Sequence, residues 1–356
     1  MIGDRIKRAR LSMGLSLRRL AAQVNLSHSA IQKYEKGMDV PSSGVLLRLA
    51  EVLDVGFDYF FKENKVRLSN PNFRKRYKLG KKNQRKLISE AEEFLEKYLF
   101  LEGLFPSIVS SFRMPKAAAK KVKKLSDCEI IAESIRDEWN FGYDPIFPLI
   151  EGLESKGIKV VLLDIRMDSF DGCSAWINEN LPAIIISKNW PGDRQRFTIA
   201  HELGHLLLKK DNPELKDEQI ANRFAGAFLI PREAVYFELG QHRHSFYIKE
   251  LEELKLRYGA SIGCWLHRAN DLGIISDSFY RRIMIDFGKK GWRMEEPGQQ
   301  LDPEKPQRFE RLIFKSLAEN IISENKAAEL FNISISKLRQ NSGRIGGKQN
   351  EIPNCS

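Results

Sequence analysis

Two histidines and a glutamate offer the clearest chemistry in this sequence. His201, Glu202 and His205 stand in the order HExxH within residues 194–208, RQRFTIAHELGHLLL. On a helix, side chains four residues apart lie about 5–6 Å from each other on one face, so both imidazoles can converge on a single ion. Glu202 is turned about 100° away from His201, toward a position where a metal can keep a water. A carboxylate there can act as general base for attack on a peptide carbonyl. The pattern predicts one zinc ion per chain, with His201 and His205 as two ligands and Glu202 as the base. Phe197, Ile199, Ala200, Leu203, Leu206 and Leu207 make the rest of the helix apolar and predict burial. Gly204 costs a helix about 1 kcal/mol against Ala, which calls for a close neighbour at its backbone. A pair of surface or satisfied core histidines is the competing reading. With only six histidines in the chain, two of them on an apolar helix, the metal reading is favoured.

A metallopeptidase needs a third protein ligand. Residues 217–229, DEQIANRFAGAFL, predict the next helix, ending before Pro231, with Glu218 and Asn222 on one face and Ile220, Ala221, Phe224, Ala225 and Phe228 buried. Glu218 is the expected third ligand, with Glu214 and Asp217 as competitors, and Asn222 is placed to orient a ligand by hydrogen bonding. Tyr236, His242, His244 and Tyr247 are candidates for stabilising an oxyanion. Upstream, helices are expected over 126–139 and 146–156. Short strands are expected over 159–163, 173–177 and 183–187, with Asp193 as N-cap of the histidine helix. Three short strands beside such a helix form a zincin-like arrangement, in which an edge strand can pair with substrate backbone.

The elements that must position this chemistry share the chain with a basic N-terminal third. Residues 1–125 hold 27 Lys/Arg against 12 Asp/Glu, whereas residues 126–356 hold 31 against 35. The positive excess of +11 therefore lies before the histidine motif, and that third is the candidate polyanion binder. Helices are expected over 2–13, 17–23, 28–36 and 44–53, with Ser16 and Ser27 as N-caps and Asn25 in a left-handed turn. Tyr34 and Glu35 read as structural. This layout, and above all LSHSAIQKYEKG followed by Pro41 and LLRLAEVLDV, resembles the Xre/Cro-like repressor domains. The resemblance implies that the third helix enters the major groove of operator DNA, with Ser27, His28, Ser29, Gln32 and Lys33 toward bases and Lys36 near phosphate. Where the family commonly has a phosphate-contacting Gln, this chain has Leu17, and Arg18 or Arg19 would take over that contact.

Residues 65–86 form a basic segment containing FRKRYKLGKKNQRK. The pattern over 86–104 then predicts a connecting helix with Leu87, Ala91, Phe94, Leu95, Tyr98 and Leu101 on one side, a homodimer seam or a face packed on the chain's own core. Helices are expected within 247–275, irregular chain over 281–306, and a second helix-turn-helix rhythm over 309–340. That last module has Ser323 and Ser334 as caps and Asn332 at the turn, and its weak basic face suits packing or partner docking better than DNA. The fold class expected is mainly α, with a small α+β zincin-like domain and an N-terminal helix-turn-helix domain of four or five helices. The expected boundaries are 1–66 for the DNA module, 67–125 for the basic linker and connecting helix, 126–280 for the peptidase, 281–342 for the C-terminal module and 343–356 for a disordered tail. Scattered cysteines, the lack of an apolar leader and the lack of an apolar run near 18 residues suggest a cytoplasmic, non-membrane protein.

RQRFTIAHELGHLLL with EQIANRFAGAFLIP, flanked by GIKVVLLD, PAIIIS and YGASIGCWLHRANDLGIIS, resembles the ImmA/IrrE family of zinc metallopeptidases over residues 126–280. The resemblance implies a gluzincin-like peptidase using His201, His205 and Glu218 as ligands and Glu202 as base. It also implies a protein substrate such as a repressor or antitoxin, cut in response to stress. The alternative is a regulator or antitoxin in which the zinc fold is a sensor or a toxin-binding scaffold.

Overall fold

The computed structural model describes residues 2–63, 65–73, 80–164 and 170–342. The chain divides into one unit of residues 1–96 and 110–306 and a smaller one of residues 97–109 and 307–356. The larger unit opens with α1 (Ile2–Ser12), α2 (Leu17–Gln23), α3 (His28–Glu35) and α4 (Ser43–Leu53). The Ser16 and Ser27 hydroxyls accept from the backbone N–H groups of Arg19 at 3.2 Å and Ala30 at 3.1 Å, filling donors that a helix start leaves open. Asn25 turns the chain between α2 and α3 with a φ of 53°. Ile6, Leu20, Val24, Ile31 and Leu49 are fully buried among the four helices. Each such side chain contributes about 1.5–3 kcal/mol by leaving water. Arg10 and Glu35 form a bidentate pair at 2.5 and 2.8 Å that ties α1 to α3.

The chain continues through β1 (Leu68–Phe73), α5 (Lys81–Leu104), α6 (Asp127–Glu138), α7 (Leu149–Glu154), β2 (Lys159–Leu163), β3 (Gly172–Ile177) and β4 (Leu181–Ser187). The sheet order is β1-β3-β4-β2: β3 and β4 form a hairpin, β2 runs parallel to β4, and β1 pairs antiparallel with β3. Patterning predicts the last three strands, but β1 arises inside the stretch read as linker. LSNPNF has little intrinsic strand preference. It pairs because the edge of β3 presents backbone donors and acceptors in need of partners. Pro71, which cannot donate, sits inside the bulge where the register shifts between Ser69 and Asn72.

Next come α8 (Gly192–Leu207), packed on the sheet, and α9 (Asp217–Leu229), packed against α8. They are followed by α10 (Arg232–Leu239), α11 (Ile248–Tyr258), α12 (Ile262–Asp271) and α13 (Asp277–Lys289). Ile184, Ile186, Ile199, Leu203, Phe224, Phe228 and Trp265 build one continuous core among these elements. Two expectations need correction. The N-cap of α8 is Pro191, not Asp193: the helix starts at Gly192, and the Asp193 carboxylate faces the buried Lys255 ammonium at 3.4 Å. Residues 281–306 are not irregular throughout, since α13 runs to Lys289.

Residues 290–306, beyond α13, contain no helix or strand yet are firmly held. Glu296 accepts from the backbone N–H groups of Ile262 and Gly263 at the start of α12, both at 2.8 Å. Glu304 accepts from Leu149 and Ile150 at the start of α7, at 2.9 and 2.8 Å. Both carboxylates lie where a helix start is positive.

The smaller unit contains α14 (Arg308–Ala318), α15 (Glu324–Phe331) and α16 (Ile335–Ser342) together with residues 97–109. Tyr98 meets Phe309 edge to face, with centroids 5.8 Å apart, and Lys97 donates to Asn332 Oδ1 at 2.6 Å. The apolar stripe of α5 is covered by its own chain: Leu87, Ala91, Leu95, Tyr98 and Leu101 are all buried. Residues 74–79 of the basic run and the polar tail, residues 343–356, lie outside the described residues. Among the described residues no helix is long and apolar enough to cross a membrane.

Candidate metal centre and nucleic-acid interface

α8 is buried on nearly every side, and His201 and Glu202 are both fully inaccessible. Arg196 anchors the helix from within. Its guanidinium donates to the carbonyls of Gly259 at 3.0 Å and Ile146 at 2.9 Å and pairs with the Glu304 carboxylate. One turn further on, the Nε2 atoms of His201 and His205 lie 3.0 Å apart. The Glu218 carboxylate approaches from α9, one oxygen 3.6 Å from His201 Nε2 and the other 3.5 Å from His205 Nε2. Among the described residues, this is the group of His, Cys, Asp and Glu side chains close enough to share a metal ion.

Four ligands held about 2.0–2.1 Å from zinc at tetrahedral angles stand about 3.3–3.4 Å from one another. The two imidazole nitrogens, 3.0 Å apart, come within a few tenths of an ångström of that figure, and the carboxylate sets one oxygen against each of them. Gly204 explains how the two helices come so near. A Cβ there would lie 3.1 Å from Phe224 Cδ1 and 3.2 Å from Ala221 Cα. The bare backbone lets α9 approach until Glu218 reaches the histidines.

Asn222, one turn beyond Glu218, places its Oδ1 2.8 Å from His201 Nδ1. An amide oxygen only accepts, so Nδ1 carries the proton and Nε2 keeps its lone pair toward the cluster. Glu202 is held from the sheet: its Oε2 accepts from the buried Ser174 hydroxyl at 2.9 Å. Ser174 lies on β3 and carries no signal in sequence, because its partner is 28 residues away on another element. The neighbouring Cys173 thiol is pushed well above its ordinary pKa by burial, with the Glu202 carboxylate adding to the effect.

The competing ligands stand apart from the cluster. Asp217 pairs with Lys210 at 3.3 Å, and Glu214 is exposed. The Tyr236 hydroxyl donates to the Leu272 carbonyl at 3.4 Å, while His242, His244 and Tyr247 are exposed. A cleft of about 490 Å³, bordered by Gly204, His205, Leu208, Lys216, Glu218 and Ile220, opens beside the cluster.

On the N-terminal helices, His28, Ser29, Lys33 and Lys36 lie at the surface on or beside α3, and Gln32 is half-buried. The Ser27 hydroxyl is the N-cap of α3 and lies 2.9 Å from that of Ser29. Arg18 and Arg19 lie at the surface of α2, whereas Leu17 packs against the four-helix core. An apolar side chain at that position contributes to folding and makes no phosphate contact.

Residues 6–60 match the helix-turn-helix family, and residues 153–270 match the family described as IrrE N-terminal-like domain, a peptidase family. The chain carries both domains. The N-terminal one is a DNA-binding regulator domain and the second has a metallopeptidase-type fold. Among curated proteins, the chain is 45% identical over 60 residues to an uncharacterized HTH-type transcriptional regulator of Rickettsia prowazekii, covering 17% of this chain and 46% of that protein. An uncharacterized HTH-type transcriptional regulator of Rickettsia conorii matches equally well, over 48% of its length. An uncharacterized transcriptional regulator in the ATPase CF(0) region of Rhodospirillum rubrum is 36% identical over 62 residues, 57% of that protein. The chain thus spans about half the length of these relatives.

Proposed function

We propose that this chain is a DNA-binding transcriptional regulator whose second domain is a zinc-dependent endopeptidase, hydrolysing a peptide bond in a specific protein partner, a repressor or an antitoxin. The reading is carried by the convergence of two imidazole nitrogens and one carboxylate, with Glu202 beside them on the same helix. His201, His205 and Glu218 would hold a zinc ion, which when bound would supply Lewis-acid polarisation of the scissile carbonyl and acidify a water near neutral pH. Asn222 keeps the His201 ring in the ligating tautomer. Glu202, oriented by Ser174, takes the proton of the attacking water and passes it to the departing amine nitrogen. An edge of the sheet holds the substrate extended. In the DNA module, Ser27, His28, Ser29, Gln32 and Lys33 face bases, with Lys36 and Arg18 toward phosphates.

Zinc-loaded protein incubated with the products of adjacent genes should yield one discrete cut. The Glu202→Gln variant should retain zinc and cut at least about 100-fold more slowly, the scale of a lost general base. Unchanged regulation by Glu202→Gln would favour the scaffold reading instead.

A further inference from the structure

The strand beside the candidate site belongs to the linker, not to the family-matched domain. β1 (Leu68–Phe73) pairs antiparallel along β3, with Leu68 opposite Ile177, Ser69 opposite Trp176, Asn72 opposite Ser174 and Phe73 opposite Cys173. Ser174 is the residue whose hydroxyl holds the Glu202 carboxylate. With β1 removed, β3, the strand that carries Ser174, would be an edge of the sheet. An extended peptide binds such an edge by backbone pairing, and a place already filled by the chain's own backbone is closed to it.

The lead-in to β1 is held by groups outside its ladder, while within the strand the Ser69 hydroxyl donates to the Trp176 carbonyl of β3 at 3.1 Å. The Leu68 N–H donates to Glu92 Oε1 at 2.9 Å and the Lys65 N–H to Glu96 Oε1 at 3.1 Å, both on α5. Those carboxylates are gripped from the DNA module: Arg8 pairs with Glu92 at 3.2 Å and with Glu96 at 2.5 Å, and Arg5 with Glu96 at 2.8 Å. Arg8 also donates to the Val66 carbonyl at 2.8 Å. On the peptidase side, Asn178 brackets the lead-in by accepting from the Arg67 N–H at 3.0 Å and donating to the Lys65 carbonyl at 2.8 Å. The ladder itself is short and is interrupted at the bulge. A strand of low intrinsic preference, clamped at one end by arginines of α1, is suited to leave when that clamp moves.

We propose that β1 is an intramolecular occupant of the substrate edge, so that the folded chain is a latent peptidase whose β3 edge is freed when the DNA module releases the linker strand. The proposal rests on the peptidase reading above.

It is tested on the full zinc-loaded chain against two variants that weaken β1, Ser69→Pro and the double substitution Leu68→Gly/Ser69→Gly. Each protein is titrated calorimetrically with acetohydroxamate, which needs only the metal, and with a tetrapeptide hydroxamate, which also needs the β3 edge. Acetohydroxamate is expected to bind all three alike, which also shows that the variants are folded at the site. The tetrapeptide hydroxamate is expected to bind the variants at least tenfold more tightly than the parent chain. Equal tetrapeptide affinity in all three proteins overturns the occupancy of the edge and leaves the metal centre standing. Failure of acetohydroxamate to bind any zinc-loaded form overturns the peptidase reading, and the proposal falls with it.

Discussion

Gly204→Ala puts one methyl group where α8 and α9 touch, and its consequences for metal affinity can be worked through. The new Cβ would sit 3.1 Å from Phe224 Cδ1 and 3.2 Å from Ala221 Cα, against about 3.5–4.0 Å for relaxed carbon contacts. Neither neighbour yields easily, because one is backbone and the Phe224 ring is fully buried and stacked on Phe228 at 5.5 Å. In the metal-free protein the helices can separate by a few tenths of an ångström, and the gain in helix preference, about 1 kcal/mol, offsets the strain. Zinc tolerates ligand displacements of only about 0.2 Å, so the loaded form must restore the original spacing and bear the overpacking, about 1–3 kcal/mol. That penalty corresponds to a zinc affinity lower by about 5- to 150-fold. Competition with a chromophoric chelator measures the affinity, and melting curves with and without zinc report stability. The metal-free melting temperature should change little while the stabilisation conferred by zinc shrinks. A Gly204→Ala protein that binds zinc as tightly as the parent would refute the idea that this helix contact sets the position of Glu218.

Further predictions address the fold and the DNA module. Glu304→Ala leaves Arg196 buried without its counter-charge and should destabilise the protein by about 3–5 kcal/mol in denaturant titrations. Cys128 and Cys264 have thiols pushed up to about 12 by burial, so iodoacetamide at pH 8 should modify them only after denaturation, as mapped by mass spectrometry. Lys36→Ala should weaken operator and non-operator DNA alike and reduce the slope of log affinity against log salt by about 0.9, measured by fluorescence anisotropy.

How much is legible in sequence depends on whether the relevant contact is local. His201 and His205 are four residues apart on one helix, and Glu218 and Asn222 repeat that interval on the next, so their alignment follows from helical period alone. Ser16, Ser27 and Asn25 are local signals of the same kind. Ser174 is invisible, because a strand serine next to a buried carboxylate looks like any other strand serine until the sheet is stacked on α8. β1 is hidden for a stronger reason: Asn and Pro argue against a strand, and only the vacant edge of β3 overrides that preference. Asp193 has the residue type of a cap, whereas Pro191, with its fixed φ, starts the helix two residues earlier. The apolar stripe of α5 fits either a seam or a core until its neighbours are known.

The stretch from Glu296 to Glu304 also bears on where the peptidase half can be cut for study. Family resemblance ends at residue 270, yet two helix starts and the guanidinium inside α8 depend on carboxylates that arrive some thirty residues later. A fragment trimmed to the homologous segment would strand a cation in the interior and leave peptide N–H groups bare, so it should aggregate. The physical terminus of that half is Pro306, and an excision that respects it keeps the bolt in its socket.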